Sequence, residues 1–283
     1  MNSPLVDSAW LANHIDDDNI RIIDASWHLP AAARNAQSEY LDEHIRGAVF
    51  FDIDVHCAES ELPHMLPSAS QFAASMSQMG ISDEHVIVVY DTVGLLSAAR
   101  VWWTFRRFGA QQVYVLDGGL PAWKSFGGEL ESGVRPLRAD IFRIQNPDTH
   151  RAARVLSADE VHSLIDAPDT MIIDARPAAR FSGDQPEPRA GLRGGHIPGS
   201  VSLPSTTLLN ENSTLLSAEE LKLIFDELGI HQNTQLVTTC GSGVTAAVIC
   251  LALTCAGYEN VALYDGSWSE WGALAHLPVV TGS

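Results

Sequence analysis

The sequence predicts an α/β protein made of two tandem copies of one unit, each a mainly parallel sheet flanked by helices. Three observations carry the prediction. Short apolar strands alternate with helical stretches through both halves, which is the pattern of βαβ units. Four anchor segments occur twice in the same order, at separations of 148 to 152 residues. One copy ends a strand in a cysteine followed by a glycine-punctuated loop, at the carboxyl end where open α/β sheets gather their ligands.

The elements follow in order. The first half opens with a helical pattern over residues 8–15 and the strand Arg21-Ile22-Ile23-Asp24. The second opens with the capping-box spacing Ser157 to Glu160 and the strand Met171-Ile172-Ile173-Asp174. Glu43-His44-Ile45-Arg46-Gly47 is answered by Gly195-His196-Ile197-Pro198-Gly199, and Val88-Val89-Tyr90-Asp91 by Val237-Thr238-Thr239-Cys240. Leu116-Asp117-Gly118-Gly119 and Trp123 are answered by Tyr264-Asp265-Gly266-Ser267 and Trp271. Helices are expected over 95–108, over 217–228 behind a second capping-box spacing, and over 245–256. A period this long describes a tandem duplication and not a solenoid. The expected boundaries are a first domain over 1–127, a connecting stretch over 128–154 marked by Gly133, Pro136 and Pro147, and a second domain over 155–283.

Bulk composition narrows the function. The chain has 283 residues, enough for two cores, and 46% hydrophobic against 18% charged residues describes a globular protein. A formal charge of −18 argues against nucleic acid and acidic membranes as partners. The sequence shows neither a transmembrane run nor a signal-peptide pattern. Its four cysteines, at 57, 240, 250 and 255, are too few for a disulfide scaffold and contain no C-x₂-C pair. A reducing cytoplasm is the expected setting, with no metal and no cofactor.

The chemistry centres on Cys240-Gly241-Ser242-Gly243-Val244-Thr245, between the apolar strand 235–239 and an apolar helix. Glycines allow such a loop to turn several backbone N–H groups toward one point, and the helix start adds unpaired donors. Sulfur held there is expected as the thiolate, the reactive form of cysteine. A buried structural cysteine is the competing reading, and it is the one given to Cys57, Cys250 and Cys255. The first copy has Asp91 at the equivalent position, and a carboxylate is a poor nucleophile toward sulfur. That copy is expected to be inactive, retained for packing and for building part of the site.

Over nearly its whole length the sequence resembles the tandem rhodanese-like sulfurtransferases. The residues that carry the resemblance are 240–245, Gly195-His196-Ile197-Pro198-Gly199 and Tyr264-Asp265-Gly266-Ser267-Trp268-Ser269-Glu270-Trp271. The uncharged loop resembles the 3-mercaptopyruvate branch, whereas the thiosulfate branch carries basic residues there. Arg46 departs from the family, whose first repeat has proline at that position.

The resemblance implies a rhodanese fold in each half. It also implies transfer of sulfur from 3-mercaptopyruvate to Cys240 as a persulfide, release of pyruvate, and delivery to a thiol, thioredoxin or cyanide. Arg180 and Arg189 match the family's substrate arginines, and a planar guanidinium suits an α-keto acid. Gly241, Gly243, Val244 and Thr245 would cradle the sulfur, as an oxyanion hole cradles oxygen. Asp54, His64 and Ser242 match a proposed serine–histidine–aspartate relay, with Asp52 answering the same description as Asp54.

Two other chemistries share parts of this pattern. Phosphatases of the C-x₅-R type need arginine six residues after the cysteine, and here that residue is Ala246. A thiosulfate sulfurtransferase or a non-catalytic rhodanese-like binding module are the remaining alternatives. Retention of Cys240 with Arg180 and Arg189 speaks against the module.

Overall fold

The computed structural model describes residues 3–134, 138–145 and 153–282. The first half runs β1 (Leu5–Val6), α1 (Ser8–His14), β2 (Ile20–Asp24), α2 (Ala36–Asp42), β3 (His44–Ile45), β4 (Ala48–Phe50), α3 (Ala69–Gln78) and β5 (Val86–Tyr90). It continues through α4 (Ser97–Arg107), β6 (Gln112–Leu116), α5 (Gly119–Phe126) and β7 (Leu130–Glu131). The second half runs β8 (Arg154–Leu156), α6 (Ala158–Leu164), β9 (Thr170–Asp174), α7 (Ala178–Ser182), β10 (Val201–Ser202) and α8 (Ala218–Glu227). It ends with β11 (Gln235–Thr239), α9 (Val244–Cys255), β12 (Val261–Tyr264) and α10 (Ser267–Trp271).

Each half builds a five-stranded sheet whose pairs are all parallel, in the order β1-β6-β5-β2-β4 and in the equivalent order β8-β12-β11-β9-β10. The duplication read from the sequence is therefore a duplication of topology. Register follows it: Asp24 pairs Tyr90 at the carboxyl edge of one sheet, and Asp174 pairs Thr239 at the same place in the other. Asp91 and Cys240 are thus the first residues beyond equivalent central strands. The capping boxes at Ser157 and Ser217 form, each with its glutamate reaching back to the cap N–H.

Apolar periodicity explains the cores. Leu11, Ile22, Ile45, Val88, Tyr90 and Trp123 cluster in the first sheet's core, and Val161, Ile172, Val237, Tyr264, Trp268 and Trp271 in the second's. Helix α9 is buried along nearly its whole length, which accounts for an apolar run without helical periodicity. Two histidines of the repeated motif are structural. His44 bonds Tyr40 O and stacks on its ring, while His196 bonds Phe181 O and stacks on that ring. Arg46 uses its N–H on Glu129 O and its guanidinium on Asp16 and Glu129, a hydrogen bond proline could not donate.

The compact units do not coincide with contiguous halves of the chain. One gathers the described residues of 1–58, 67–150 and 210–215, and the other those of 59–66, 151–209 and 216–283. Each unit includes a short arm drawn from the opposite half of the sequence. Part of the expected connecting stretch is also ordered structure. Phe142 is buried edge-on against Phe72, Asp140 and Phe142 donate to Ser77, and Asp83 accepts from Arg143 and Gln145. Pro136 and Pro147 lie outside the described residues.

The two copies treat an equivalent buried aspartate in opposite ways. Asp174 pairs with Arg176, whose Nε and Nη2 reach its carboxylate at 2.6–3.0 Å. Asp24 has Ser26 in that place, and its Oδ2 has no hydrogen-bond partner. Burial pushes the Asp24 pKa above the ordinary carboxylate value, with Asp91 adding repulsion. Folding therefore takes up a proton at Asp24, and the stability that this site contributes is lost as pH rises through its raised folded value. Asp24→Asn is expected to flatten the fall of stability as pH rises above the ordinary carboxylate range and to be neutral or stabilising at pH 8. Asp174→Asn should instead cost about 3–5 kcal/mol, because it takes a counter-charge from a buried guanidinium. Urea denaturation of both variants across pH checks the contrast; equal losses at pH 8 would refute it.

Candidate active site

The loop 240–245 joins β11 to α9 within the second unit. Cys240 is buried, its N–H donating to Ser267 Oγ at 3.2 Å and its carbonyl accepting from Trp268 N at 2.9 Å. Gly241 O accepts twice from Ser269, from its N–H at 2.9 Å and its hydroxyl at 2.6 Å. Gly243 caps α9 at φ +76, a conformation that favours glycine. Carbonyls of the loop are thus tied outward to 267–269. Among the described residues, the N–H groups of Gly241 through Thr245 donate to no protein acceptor.

The first copy shows what such a loop accommodates. There the Asp91 carboxylate turns into its own loop and accepts from Val93 N, Leu96 N and Ala98 N at 2.7–3.0 Å. Its carbonyl accepts from Leu120 N, the equivalent of Trp268 N on Cys240. The same backbone frame therefore encloses an anionic oxygen pair in one unit and a sulfur in the other.

Ser267 shows how the cysteine is held. Its φ is +49, unfavourable for a residue with a side chain, and the first copy has Gly119 there at φ +53. The hydroxyl accounts for a serine at this position: it donates to Tyr264 O at 2.8 Å and accepts from Cys240 N.

Both predicted arginines converge on this loop. A Cβ built on Gly241 would lie 3.3 Å from Arg180 Nη2 and 3.9 Å from Arg189 Nη1, so a side chain there would crowd Arg180 and touch Arg189. Arg180 lies on α7 and is held by Glu187, through Nε at 3.2 Å and Nη2 at 2.5 Å. Arg189 makes no ion pair or hydrogen bond among the described residues. Val244 is buried at the start of α9, and Thr245 is half-buried beside it.

His64 belongs to the arm 59–66, which packs in the second unit. Asp265 Oδ2 pins that arm by accepting from Leu66 N at 2.8 Å, as Asp117 pins the arm 210–215 through Leu215 N. His64 is buried at φ +60, with Nδ1 2.9 Å from Ser242 Oγ. In the other unit the equivalent residue is Ser213, at φ +63. Asp54 and Asp52 lie in the first unit. Asp54 accepts there from Trp27 Nε1 at 2.9 Å, and Asp52 from Asp54 N. Cys250 is packed against Thr238 Oγ1, and Cys57 and Cys255 are partly exposed.

A cysteine in a donor-lined strand-to-helix loop, duplicated with the cysteine replaced, is matched by the family model of the rhodanese-like domain, over residues 7–126 and 157–274. The chain belongs to the rhodanese family. A 3-mercaptopyruvate sulfurtransferase of Escherichia coli is 45% identical over 277 residues, covering 97% of this chain and 96% of its own. Thiosulfate/3-mercaptopyruvate sulfurtransferase 2 of Arabidopsis thaliana is 43% identical, covering all of this chain and 88% of its own. The crystal structure of SseA from Escherichia coli, a rhodanese-fold protein, superposes with a TM-score of 0.84 at 42% identity, over 95% of this chain and 100% of that one. Two rhodanese-like domains and a sulfur-transferring enzyme class follow for this chain.

In this rhodanese, sequence reasoning overlooked the residues that hold the site: Ser267, Ser269, Asp174, Arg176 and Glu187. Two signals for them were present. Asp174-Ala175-Arg176 differs from its repeat Asp24-Ala25-Ser26 by a charge, and Glu187 stands two residues before Arg189. Asp91→Ala should strip three loop N–H groups of their acceptor and cost about 3 kcal/mol, measured by chemical denaturation. Cys240→Ala, which removes no acceptor of these groups, should cost less than half as much; equal costs would contradict the assignment.

Proposed function

We propose that this enzyme takes sulfur from 3-mercaptopyruvate, carries it on Cys240 as a persulfide and passes it to a thiophilic acceptor. The observation that carries this reading is the convergence of Arg180 and Arg189 at Gly241, beside a loop without basic side chains. The donor's carboxylate and ketone engage the two guanidinium groups, which places its thiol over Cys240. The Cys240 thiolate attacks the donor sulfur and the carbon–sulfur bond breaks. Its electron pair leaves with C3 as the enolate of pyruvate, which takes up one proton to give pyruvate.

The Ser242–His64 pair supports that protonation, because Oγ and Nδ1 lie within hydrogen-bond distance inside the second unit. The relay proposed here rests on these two residues. The free loop N–H groups and the start of α9 stabilise the terminal sulfur of the persulfide as its charge develops. An acceptor thiol, on a small molecule or on thioredoxin, or cyanide then attacks that sulfur and regenerates Cys240. No helix among the described residues is long and apolar enough to cross a membrane, and no group of three metal-ligating side chains is found among them.

Steady-state rates with 3-mercaptopyruvate and with thiosulfate test the donor. Arg180→Ala and Arg189→Ala should each lower kcat/KM for 3-mercaptopyruvate ten- to hundredfold, corresponding to about 1.5–3 kcal/mol for a charge-assisted contact. Cys240→Ser should abolish turnover, and mass spectrometry of the parent after incubation with donor should show one added sulfur on Cys240. A parent that prefers thiosulfate, or arginine variants at parental rates, would overturn this donor. Absence of any added sulfur would make the chain a binding module.

A further inference from the structure

The arginine that faces the loop is the end of a buried chain of charge. Asp174 holds Arg176 through Nε and Nη2, and Arg176 Nη1 donates to Glu187 Oε1 at 2.8 Å. Glu187 in turn holds Arg180 through both carboxylate oxygens, which takes up the Nε side of the guanidinium and fixes its Nη2 beside Gly241. The side chains of Asp174, Arg176 and Glu187 are 0%, 1% and 1% exposed, and that of Arg180 is 16% exposed. The Arg176 guanidinium lies 4.2 Å over the ring of Trp268, the residue whose N–H bonds Cys240 O. The chain of charge therefore ends at both sides of the nucleophile loop.

Formal charge along it decides what the site can recognise. Asp174 and Glu187 cancel Arg176 and Arg180, and Arg189 is left over, so the cluster carries a net charge of one positive unit. One surplus positive charge matches a donor with one carboxylate. A compact dianion such as thiosulfate would retain an unmatched charge in a half-buried site.

We propose that Glu187 determines donor selectivity, fixing the orientation of Arg180 and holding the site's surplus charge at one. The inference rests on the reading of Arg180 and Arg189 as the donor's carboxylate site. It makes Glu187 a positioning residue that acts through Arg180, since the loop itself offers only Gly241 and Ser242.

Glu187→Gln is the test, with kcat and KM measured for 3-mercaptopyruvate and for thiosulfate. The expected result is at least a tenfold shift of the kcat/KM ratio toward thiosulfate, with the loss for 3-mercaptopyruvate chiefly in KM. A role in folding alone would lower both donors in parallel, and that outcome overturns the proposal. Glu187→Asp keeps the charge, shortens the reach and serves where the glutamine variant does not fold. It should raise KM for 3-mercaptopyruvate while leaving the donor ratio within about threefold of the parent. A shift of the ratio in Glu187→Asp as large as in Glu187→Gln, or a ratio unmoved in Glu187→Gln, refutes charge as the cause. Arg180→Ala and Arg189→Ala, run alongside, separate the two readings. If they leave 3-mercaptopyruvate use intact, the donor site fails; if they impair it while Glu187→Gln does not move the ratio, only the selectivity role fails.

Discussion

A strand-to-helix loop that turns its N–H groups to one point needs something electron-rich at that point. Everything else about the two copies follows from how that requirement is met. In the first unit Asp91 supplies its own carboxylate to Val93, Leu96 and Ala98, and the loop is closed upon itself. In the second unit the strand ends in Cys240, whose short side chain brings a sulfur to the same frame. There the N–H groups of Gly241 through Thr245 meet no protein acceptor among the described residues. With aspartate in place of cysteine the frame of the first copy is not lost but satisfied by its own carboxylate.

The exchanged arms make each unit depend on the opposite half of the sequence. The segment 59–66, encoded within the first half, packs in the second unit and brings His64 against Ser242. Its counterpart 210–215 makes the same excursion and offers only Ser213 at the equivalent backbone position. Both arms are tied by the same device, an aspartate after the last central strand accepting a leucine N–H. A chain consisting of residues 151–283 alone would lack the histidine of its own loop.

Legibility in the sequence divided along physical lines. Topology was readable because burial on both faces of a parallel strand leaves apolar runs such as Val86-Ile87-Val88-Val89 and Gln235-Leu236-Val237, and because they occur twice. Cys240, Arg180 and Arg189 were readable as chemistry from residue type and from resemblance. The short strands β1, β8 and β10, of two or three residues, were not, since their pairing depends on neighbours more than a hundred residues away or on a sheet edge. The arms carry no periodicity, and they are tied by hydrogen bonds to residues far along the sequence, among them Asp117 and Asp265. Glu187 was hidden for another reason: an acidic residue between two prolines reads as solvated loop until the fold buries it under two guanidinium groups.

The site also separates two electrostatic tasks that a compact dianionic donor would merge. Sulfur is met by backbone dipoles, which stabilise developing charge without fixing a full countercharge beside the nucleophile. The carboxylate end, in the reading proposed here, is met by Arg189 and by Arg180, which Glu187 and Arg176 hold in place. Gly241 is where the two meet, and its missing side chain keeps the arginines near the loop without placing a charge inside it. A basic side chain at 241 would enter the space now held by Arg180 Nη2, repelling one arginine while adding another. Loop composition and the Glu187–Arg180 pair are therefore not independent choices: an uncharged loop leaves room for the arginine cluster beside it, and in the proposed reading that cluster offsets the net charge of −18 where an anionic donor would bind.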